Sequence, residues 1–527
     1  MKKCFKKALS VFLSLTMIFA AVAMAFPSAS AVSAWTDIPV ILVEGQGTTL
    51  GIKQADGSYD KVYGIEIPEG YIEDVVKENI DVFARAVLTQ EWDEFCDVLY
   101  EAMVPLYEEI KLDENGEAPN GSRVAWDWSE SSIKKQTNNG KYEFEQFRYH
   151  YDWRMDPLKT ADDLHAYIEA ILKVTGKDKV ALSGRCLGSC ITMAYMQKYD
   201  GEYVSDHILY ASALNGVEAC GKAFCGDVTL DADGVERFAY DLDLSTNELM
   251  GDLVRSFVTV ANDTYGLDLA LAAVNNVIPD IKLKIFPRIL RETYASFPSY
   301  WAMVGDKEYE KAKEVVFYGA EEGKYDNFIK MIDNYHYNVQ IPAADILVEQ
   351  QARGIDYFNI TKYGVQSVPV TGNSDAVSDS LVDIPSASMG ATVGSVNFDL
   401  SESYIQEIEE AGKGKYISID KKIDASTCLF PDQTWFIKNL SHKNFPTIVN
   451  VFMAEMVNVD NFNIESNENY PQYLVFDEDT ETLSPMTEDN HNTTDRWQVS
   501  FMDALRTLIR TIIQIIKNYF ASIGTPQ

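Results

Sequence analysis

Two glycines flank a cysteine in the middle of the chain, and their spacing is the strongest chemical signal in the sequence. The segment reads Gly184-Arg185-Cys186-Leu187-Gly188, the form of a sharp turn that lifts a nucleophile between a strand and a helix. The turn needs glycines two residues to either side, because strand and helix pack too closely there for a Cβ atom. Serine is the usual residue at the centre. Cys186 is therefore the candidate nucleophile of an acyl-transfer reaction.

A base must take the proton from this thiol, and the chain contains six histidines. His442 follows a late predicted strand and precedes an apolar helix, which is where such a base belongs. We therefore expect His442 to be the base, with a histidine on a surface loop as the alternative interpretation. The other histidines lie in predicted strands, on a helix, in an inserted region or in an acidic tail: His150, His165, His207, His336 and His491.

The loop over residues 373–383 carries three aspartates that could orient the histidine. Asp379 is favoured, because the number of residues between it and the following Ser386-Ala387 is similar to the spacing in the acid loop of many lipases. Asp375 lies closer to the end of the preceding predicted strand, and Asp383 is the third candidate. An aspartate in such a loop can also serve only to form a turn. With any of the three, the chain order is nucleophile, acid, histidine, as expected of this kind of triad.

An apolar strand near the start of the chain runs into a glycine-rich loop that begins with Glu44 and Gly45. A loop of this kind ahead of the nucleophile supplies an oxyanion hole, which needs two backbone N–H groups. The candidates are the amides of Gln46 and Leu187, and the alternative is an ordinary glycine-rich turn. Arg185 and the helix N-terminus should both favour a thiolate. Arg185 could equally bind a substrate anion or point to solvent.

Short apolar runs alternate with amphipathic helical segments around these residues. This alternation predicts the α/β class, with a mostly parallel sheet covered by helices on both faces. The strand pattern stops over 216–345, where helical spacing predicts a cap over the site or a structural helical subdomain. The core is therefore predicted in two pieces, 35–215 and 346–458. The predicted strands cover residues 38–43, 123–128, 144–151, 179–183, 207–213, 358–360, 368–372 and 434–439.

The first 31 residues have the composition of a secretory signal: lysines, an apolar stretch and then small residues. We expect a secreted, extracellular protein, either free or associated with the cell envelope; a membrane anchor is the alternative. The chain has 80 acidic and 45 basic residues, a formal charge of −35, which argues against a nucleic-acid partner.

The last part of the chain divides into an acidic segment and a basic one. Residues 459–496 are acidic and polar and are predicted to form a linker or peripheral loop. Residues 497–527 have apolar positions at helical spacing with Arg506, Arg510 and Lys517 among them. Such a basic amphipathic helix could lie on a membrane surface, or it could dock on the protein's own core.

Six cysteines follow the signal segment, and their spacing is not that of a metal site, so neither a metal nor a cofactor is expected. Cys220 and Cys225 are the best candidates for a disulfide because a short glycine-containing stretch separates them. Cys190 lies one helical turn beyond Cys186 and is either a redox neighbour or a small packing residue.

Four segments of the chain resemble the lecithin:cholesterol acyltransferase and lysosomal phospholipase A family. They are the first strand and its loop over 38–50, the Tyr-Asp-Trp-Arg sequence over 151–154, the cysteine turn, and the aromatic Pro-Ser stretch over 297–301. The resemblance implies an α/β-hydrolase core with a cap, acting on lipid esters as a phospholipase or acyltransferase. It implies Cys186 as nucleophile, His442 as base and an aspartate of the 375–383 loop as acid. The chain departs from the family in carrying cysteine in place of serine and Glu44 in place of proline.

The leading hypothesis is a secreted cysteine-dependent ester hydrolase or acyltransferase acting on lipids or other hydrophobic esters. The second hypothesis is an inactive descendant of such an enzyme that binds lipids or envelope components in the same pocket. A cysteine peptidase is a third hypothesis, and it fits the aromatic residues of the inserted region less well.

Overall fold

The computed structural model describes residues 34–62, 71–133, 137–241, 248–492 and 494–523, so the predicted signal segment lies outside the described residues. A sheet of eight strands forms the centre of the molecule. In chain order its strands are β1 (Val40–Val43), β2 (Phe147–Tyr149), β3 (Val180–Arg185), β4 (Val204–Tyr210), β5 (Asp356–Tyr363), β6 (Thr434–Lys438), β7 (Tyr473–Asp477) and β8 (Thr482–Pro485).

The strand order across the sheet is β8-β7-β6-β5-β4-β3-β1-β2. Every neighbouring pair is parallel except β7 and β8, which form an antiparallel hairpin at one edge. The predicted α/β class with a mostly parallel sheet is confirmed. Strands β1 and β3 to β6 are almost wholly buried, as expected of a parallel sheet covered on both faces.

Helices on both faces bury the sheet and give two large apolar cores. The helix Pro157–Thr175 is capped at its N-terminus by Asp156, whose carboxylate accepts a hydrogen bond from the Leu158 amide. Gly176, in the left-handed region, caps its C-terminus. The helix Leu187–Lys198 follows β3 directly, and Thr447–Asn458 follows the loop that contains His442. The remaining helices of this part are Ala343–Ala352, Ile384–Ala387 and Glu402–Glu410.

The region predicted as a cap, residues 216–345, is helical wherever the structure describes its regular elements. Helix Asp93–Met103, from an earlier part of the chain, packs against its helix Ile278–Arg291, and helix Tyr71–Thr89 packs in turn against Asp93–Met103. The other α-helices of the region are Glu218–Phe224, Ala232–Asp241, Glu248–Asp263, Gly266–Asn275, Pro298–Trp301, Asp306–Val316 and Asp326–Tyr335. The placement of the cap boundary at 216 and 345 stays a prediction.

Three sequence-based expectations about strands differ from the structure. The run over 368–372 forms a turn outside the sheet, because Pro369 has no N–H to donate to a strand ladder. The run over 123–128 shortens to Arg123–Val124 and pairs with Leu50–Lys53 in a small separate sheet. The acidic segment 459–496 is not a linker, since its apolar Tyr-Leu-Val-Phe run forms β7 and extends the central sheet.

Short strands outside the central sheet form several small ladders, with the bounds Trp35–Thr36, Leu50–Lys53, Tyr59–Val62, Arg123–Val124, Tyr142–Glu143, Val365–Gln366, Val377–Ser378, Thr392–Val393 and Ile423–Asp424. The last helix, Phe501–Ile523, packs on Glu248–Asp263 of the helical region. Within the described parts of the chain, no helix is both long enough and apolar enough to cross a membrane.

Candidate active site

Cys186 lies at the tip of the turn between β3 and the helix Leu187–Lys198, with φ 50° and ψ −124°. A positive φ is unusual for a residue with a side chain and is maintained only where the surroundings impose it. A Cβ atom added to Gly188 would come within 2.1 Å of the Val43 carbonyl oxygen, and one on Gly184 within 2.5 Å of the Thr192 hydroxyl oxygen. The two glycines are therefore required by the close packing that lifts the Cys186 thiol above the sheet.

The glycine-rich loop after β1 lies directly against the cysteine. A Cβ atom added to Gly45 would be 3.0 Å from Cys186 Cβ and 3.5 Å from its Sγ atom. Gln46 follows Gly45, and its side-chain oxygen accepts a hydrogen bond from the Tyr300 hydroxyl. Leu187 is the first helical residue, so its N–H precedes the intrahelical hydrogen bonds. The structure thus places both predicted oxyanion-hole residues beside the nucleophile, while their role in stabilising an oxyanion stays a prediction.

His442 and Asp379 form a buried pair. The Nδ1 atom of His442 lies 2.7 Å from Asp379 Oδ2, and both side chains are almost inaccessible to solvent. The amides of Leu381 and Val382 donate to the other carboxylate oxygen of Asp379, at 3.1 and 2.9 Å. The Asp379 backbone carbonyl also accepts a hydrogen bond from the His442 amide. These contacts fix the orientation of the imidazole ring.

The second ring nitrogen of His442, Nε2, is buried and has no standard hydrogen-bond partner among the residues that the structure describes. Burial alone would lower the pKa of His442, but the negative charges of Asp379 and of the Cys186 thiolate raise it to about 10. Burial would likewise raise the pKa of Asp379, and the pairing with His442 and the charge of Lys362 hold it below its ordinary value. The imidazole of His442 is therefore protonated at neutral pH, beside Cys186.

The alternative acids have other partners. Asp375 is partly exposed and accepts hydrogen bonds from Asn397 and Arg237. Asp383 begins the short helix Ile384–Ala387 by accepting a hydrogen bond from the Ser386 amide. Of the three aspartates in the loop, the structure brings Asp379 against His442.

The remaining histidines have structural surroundings. His207 faces the Thr192 hydroxyl, and burial lowers its pKa to about 3, so it stays neutral. His165 stacks on Tyr199, and His336 stacks on Tyr309. Burial lowers the pKa of His150, and both backbone partners of His491 belong to its own turn.

Arg185 is buried and does not point to solvent as one interpretation of the sequence had it. Its guanidinium lies 3.2 Å from Glu44 Oε1 and donates a 2.6 Å hydrogen bond to the Asn450 side chain. Arg148 also pairs with Glu44, at 2.9 Å. Glu44 precedes Gly45, so this ion pair ties the glycine-rich loop to the residue before the nucleophile. Because its charge is already paired, Arg185 is not positioned as a receptor for a substrate anion.

Lys362 is a site residue that the sequence did not reveal. It lies near the end of β5, is fully buried, and donates hydrogen bonds to the carbonyl oxygens of Ser441, His442 and Asn444 at 2.9, 2.7 and 2.9 Å. Its Nζ atom also lies 3.9 Å from the centre of the Phe445 ring. Burial lowers the pKa of Lys362 to about 7, and the Asp379 carboxylate opposes that shift. Lys362 therefore holds the loop that carries the base.

An apolar pocket of about 160 Å³ lies beside these residues. Its lining includes Gln46 of the glycine-rich loop and Leu381 of the acid loop, which connect it to the site. Apart from Gln46, the lining side chains are aliphatic, aromatic or sulfur-containing. Helix Ile278–Arg291 forms one wall, and helix Asp93–Met103 contributes Leu99 and Met103.

All six cysteines within the described residues are free thiols, so the expected Cys220–Cys225 disulfide is absent. Cys220 donates to the Tyr300 carbonyl and Cys225 to the Glu308 carbonyl. The two lie on and just beyond one helix, five residues apart, a spacing that directs their side chains to different sides. Burial raises the pKa of Cys190 to about 12, so this neighbour of Cys186 stays protonated.

No group of three or more potential metal ligands occurs in the part of the chain that the structure describes. In comparisons with known proteins, no protein-family model matches the chain, and no curated protein matches its sequence.

Proposed function

We propose that the chain is an α/β-hydrolase-fold enzyme that transfers acyl groups through Cys186, His442 and Asp379. The strand order, the turn at Cys186 and the order of the three residues along the chain support the assignment of fold. The single observation that carries the proposal is the buried His442–Asp379 pair. The Nε2 nitrogen of His442 has no standard partner, and the charge of Cys186 acts on the imidazole.

In the proposed resting state Nε2 of His442 already holds the proton of the Cys186 thiol, so the nucleophile is a thiolate beside an imidazolium. The thiolate attacks the carbonyl carbon of an ester, and the amides of Gln46 and Leu187 hold the negative oxygen of the tetrahedral intermediate. His442 then returns the proton to the leaving alcohol as the C–O bond breaks, which leaves a thioester on Cys186. Water or a second alcohol attacks the thioester, with His442 taking its proton, and the free thiol is restored.

The substrate is an ester with an apolar acyl chain. The pocket beside Gln46 and Leu381 has almost no polar groups in its lining, so a hydrocarbon chain is the ligand it accommodates at least cost. Phospholipids and other lipid esters have this chemistry, and the same pocket serves hydrolysis or transfer. Export is part of the proposal, in keeping with the composition of residues 1–31.

The decisive experiment measures thiol reactivity and ester turnover in the same set of variants. Purified protein is treated with iodoacetamide between pH 5 and 9, and the modified cysteine is identified by mass spectrometry. Nitrophenyl esters with acyl chains of different length report turnover. Wild type is compared with Cys186→Ala, His442→Ala and the matched control Cys190→Ala, which removes a thiol one helical turn away.

We expect fast modification of Cys186 below pH 7 and turnover that is lost in Cys186→Ala but kept in Cys190→Ala. If Cys186 reacts no faster than a thiol in the unfolded chain and no ester is turned over, the catalytic proposal is wrong. Tight binding of fatty acids in that case would support the second hypothesis, a lipid-binding protein without catalysis.

A further inference from the structure

The last helix, Phe501–Ile523, packs on the rest of the protein but leaves several of its apolar side chains exposed. Its contact with Glu248–Asp263 buries Ala504 and Thr511. The side chains of Met502, Ile509 and Ile513 remain 51%, 52% and 47% exposed. Positions 502, 509 and 513 are seven and four residues apart, so they form one row along the helix. Ile512, which is 42% exposed, adjoins this row.

A row of basic side chains runs beside the apolar row. Arg506, Arg510 and Lys517 are exposed, and their spacing of four and seven residues aligns them on one edge of the helix. Arg506 has an ion pair of 3.0 Å with Asp503, but both side chains are largely exposed, so the pair competes weakly with other anions. The chain as a whole carries a formal charge of −35, which makes three aligned cations on one helix an unusual local surface.

We propose that this exposed face, formed by Met502, Ile509, Ile512 and Ile513 with the adjoining basic row, binds the surface of an anionic lipid layer. A helix that carries isoleucines beside arginine and lysine lies in the interfacial plane, with the apolar row among the acyl chains and the cations among the headgroup phosphates. The basic row favours this partner over an uncharged apolar surface. The proposal does not depend on catalysis, since none of these residues belongs to the site of Cys186.

Vesicle sedimentation tests the proposal on the chain without residues 1–31 and with Cys186→Ala, so that no lipid is consumed. The probes are vesicles of phosphatidylcholine alone and of phosphatidylcholine mixed with phosphatidylglycerol. We expect partition to the anionic vesicles to be stronger by about ten-fold or more, since each cation near the surface contributes to binding. High salt should reduce that preference.

Three variants separate the apolar row from the basic row. Ile509→Asn with Ile513→Asn should weaken partition to both kinds of vesicle by about ten-fold or more. Arg510→Gln with Lys517→Gln should remove the anionic preference and leave binding to neutral vesicles unchanged. The control Leu88→Asn, at a side chain that is 83% exposed on the helix Tyr71–Thr89, should bind as its Cys186→Ala parent does. Thermal unfolding by circular dichroism verifies that all variants are folded.

The proposal is overturned if the starting protein binds neither kind of vesicle, or if the double isoleucine variant binds as well as its parent. It is also overturned if light scattering shows that the parent protein is a dimer and that the isoleucine variant is a monomer with unchanged lipid binding. The exposed face would then be a contact between copies of the chain. Since every binding measurement uses Cys186→Ala, a failure of the proposed catalysis leaves these outcomes unchanged.

Discussion

The Nζ atom of Lys362 lies 2.7 Å from the carbonyl oxygen of His442, the residue whose ring faces Cys186. The same nitrogen donates to two further carbonyls of that loop, and its ammonium form supplies a proton to each of the three. A buried lysine in the central sheet thus determines where the base of the candidate triad lies.

Replacing Lys362 with methionine should remove the donors of three buried carbonyl groups while keeping the volume of the side chain. We expect the free energy of unfolding to fall by about 3 kcal/mol or more, since an unpaired buried acceptor costs about 1–3 kcal/mol. Turnover should fall further than this loss of stability explains, because His442 is no longer held against Cys186. Urea unfolding and ester turnover at a temperature where the variant is fully folded check both effects. Full turnover in a folded Lys362→Met protein would contradict this role.

The reactivity of the Cys186 thiol should depend on His442 in a defined pH range. The pKa of His442 is raised to about 10, so its imidazole carries a proton across neutral pH, and a cation beside a cysteine favours the reactive thiolate form. Wild-type protein should therefore react with iodoacetamide at pH 6 at nearly its rate at pH 8. In His442→Ala the rate should rise ten-fold per pH unit across the same range, as for a free thiol. The matched variant His207→Ala, at a buried histidine away from the nucleophile, should keep the wild-type pH profile if it folds.

Stability should also vary with pH through His442. Its pKa is raised to about 10 in the folded protein, against about 6.5 in an unfolded chain. A raised pKa means that the folded state binds the proton more tightly, so the contribution is complete below about pH 6.5 and is lost as the pH rises toward 10. We expect the free energy of unfolding to fall more between pH 6.5 and 9.5 in wild type than in His442→Gln. Urea unfolding at the two pH values gives the comparison. An equal fall in the free energy of unfolding in wild type and His442→Gln would show that the His442–Asp379 pair is not ionised.

The three aspartates of the acid loop should differ in their effect on turnover. Asp379→Asn keeps the shape of the side chain but removes the charge that orients and stabilises the imidazolium. By analogy with other triads, we expect a loss of up to about 10⁴-fold in kcat. Asp375→Asn and Asp383→Asn should retain turnover within about three-fold, because their changes affect a surface contact and a helix N-terminus. Steady-state kinetics on a single ester distinguishes the three variants.

Filling the apolar pocket should change which acyl chains are accepted. Ile285 is buried and lines the pocket from helix Ile278–Arg291, whereas Leu283 on the same helix is 47% exposed. Ile285→Trp should shift the preferred substrate to shorter acyl chains, with kcat/KM for the longest chain falling about ten-fold or more. Leu283→Trp should leave the chain-length profile unchanged. A parallel shift in both variants would show that the acyl chain binds elsewhere.

Much of the site could be predicted because its residues have strong local signals. Gly184, Cys186 and Gly188 have a spacing that only a sharp strand-to-helix turn requires, and the structure has that turn. His442 was identifiable by its position between a late strand and an apolar helix. The sequence favoured Asp379 over Asp375 and Asp383 but did not exclude the other two. Several residues of one loop can lie close enough to contact His442, and only tertiary packing selects among them.

Other parts of the structure depend on contacts between distant residues and could not be predicted. Lys362 interrupts an apolar strand, and a lysine in such a place gives no indication that three carbonyls of a distant loop surround it. The pairing of Glu44 with Arg185 is hidden for the same reason. The strand Tyr473–Asp477 was missed because acidic and polar residues surround a short apolar run, and the run 368–372 resembled a strand until its proline excluded it from the ladder.

The arrangement of the sheet has a consequence for the newly synthesised chain. Strand β3, which leads to Cys186, belongs to the first half of the chain, while β5 and β6, which position Lys362 and His442, come from much later. The thiol acquires its partner only when these distant segments have paired. Until then Cys186 has the modest reactivity of any cysteine in an unfolded polypeptide. The order of synthesis thus leaves the thiol of Cys186 without its imidazole partner until the late segments of the chain have been made and have folded.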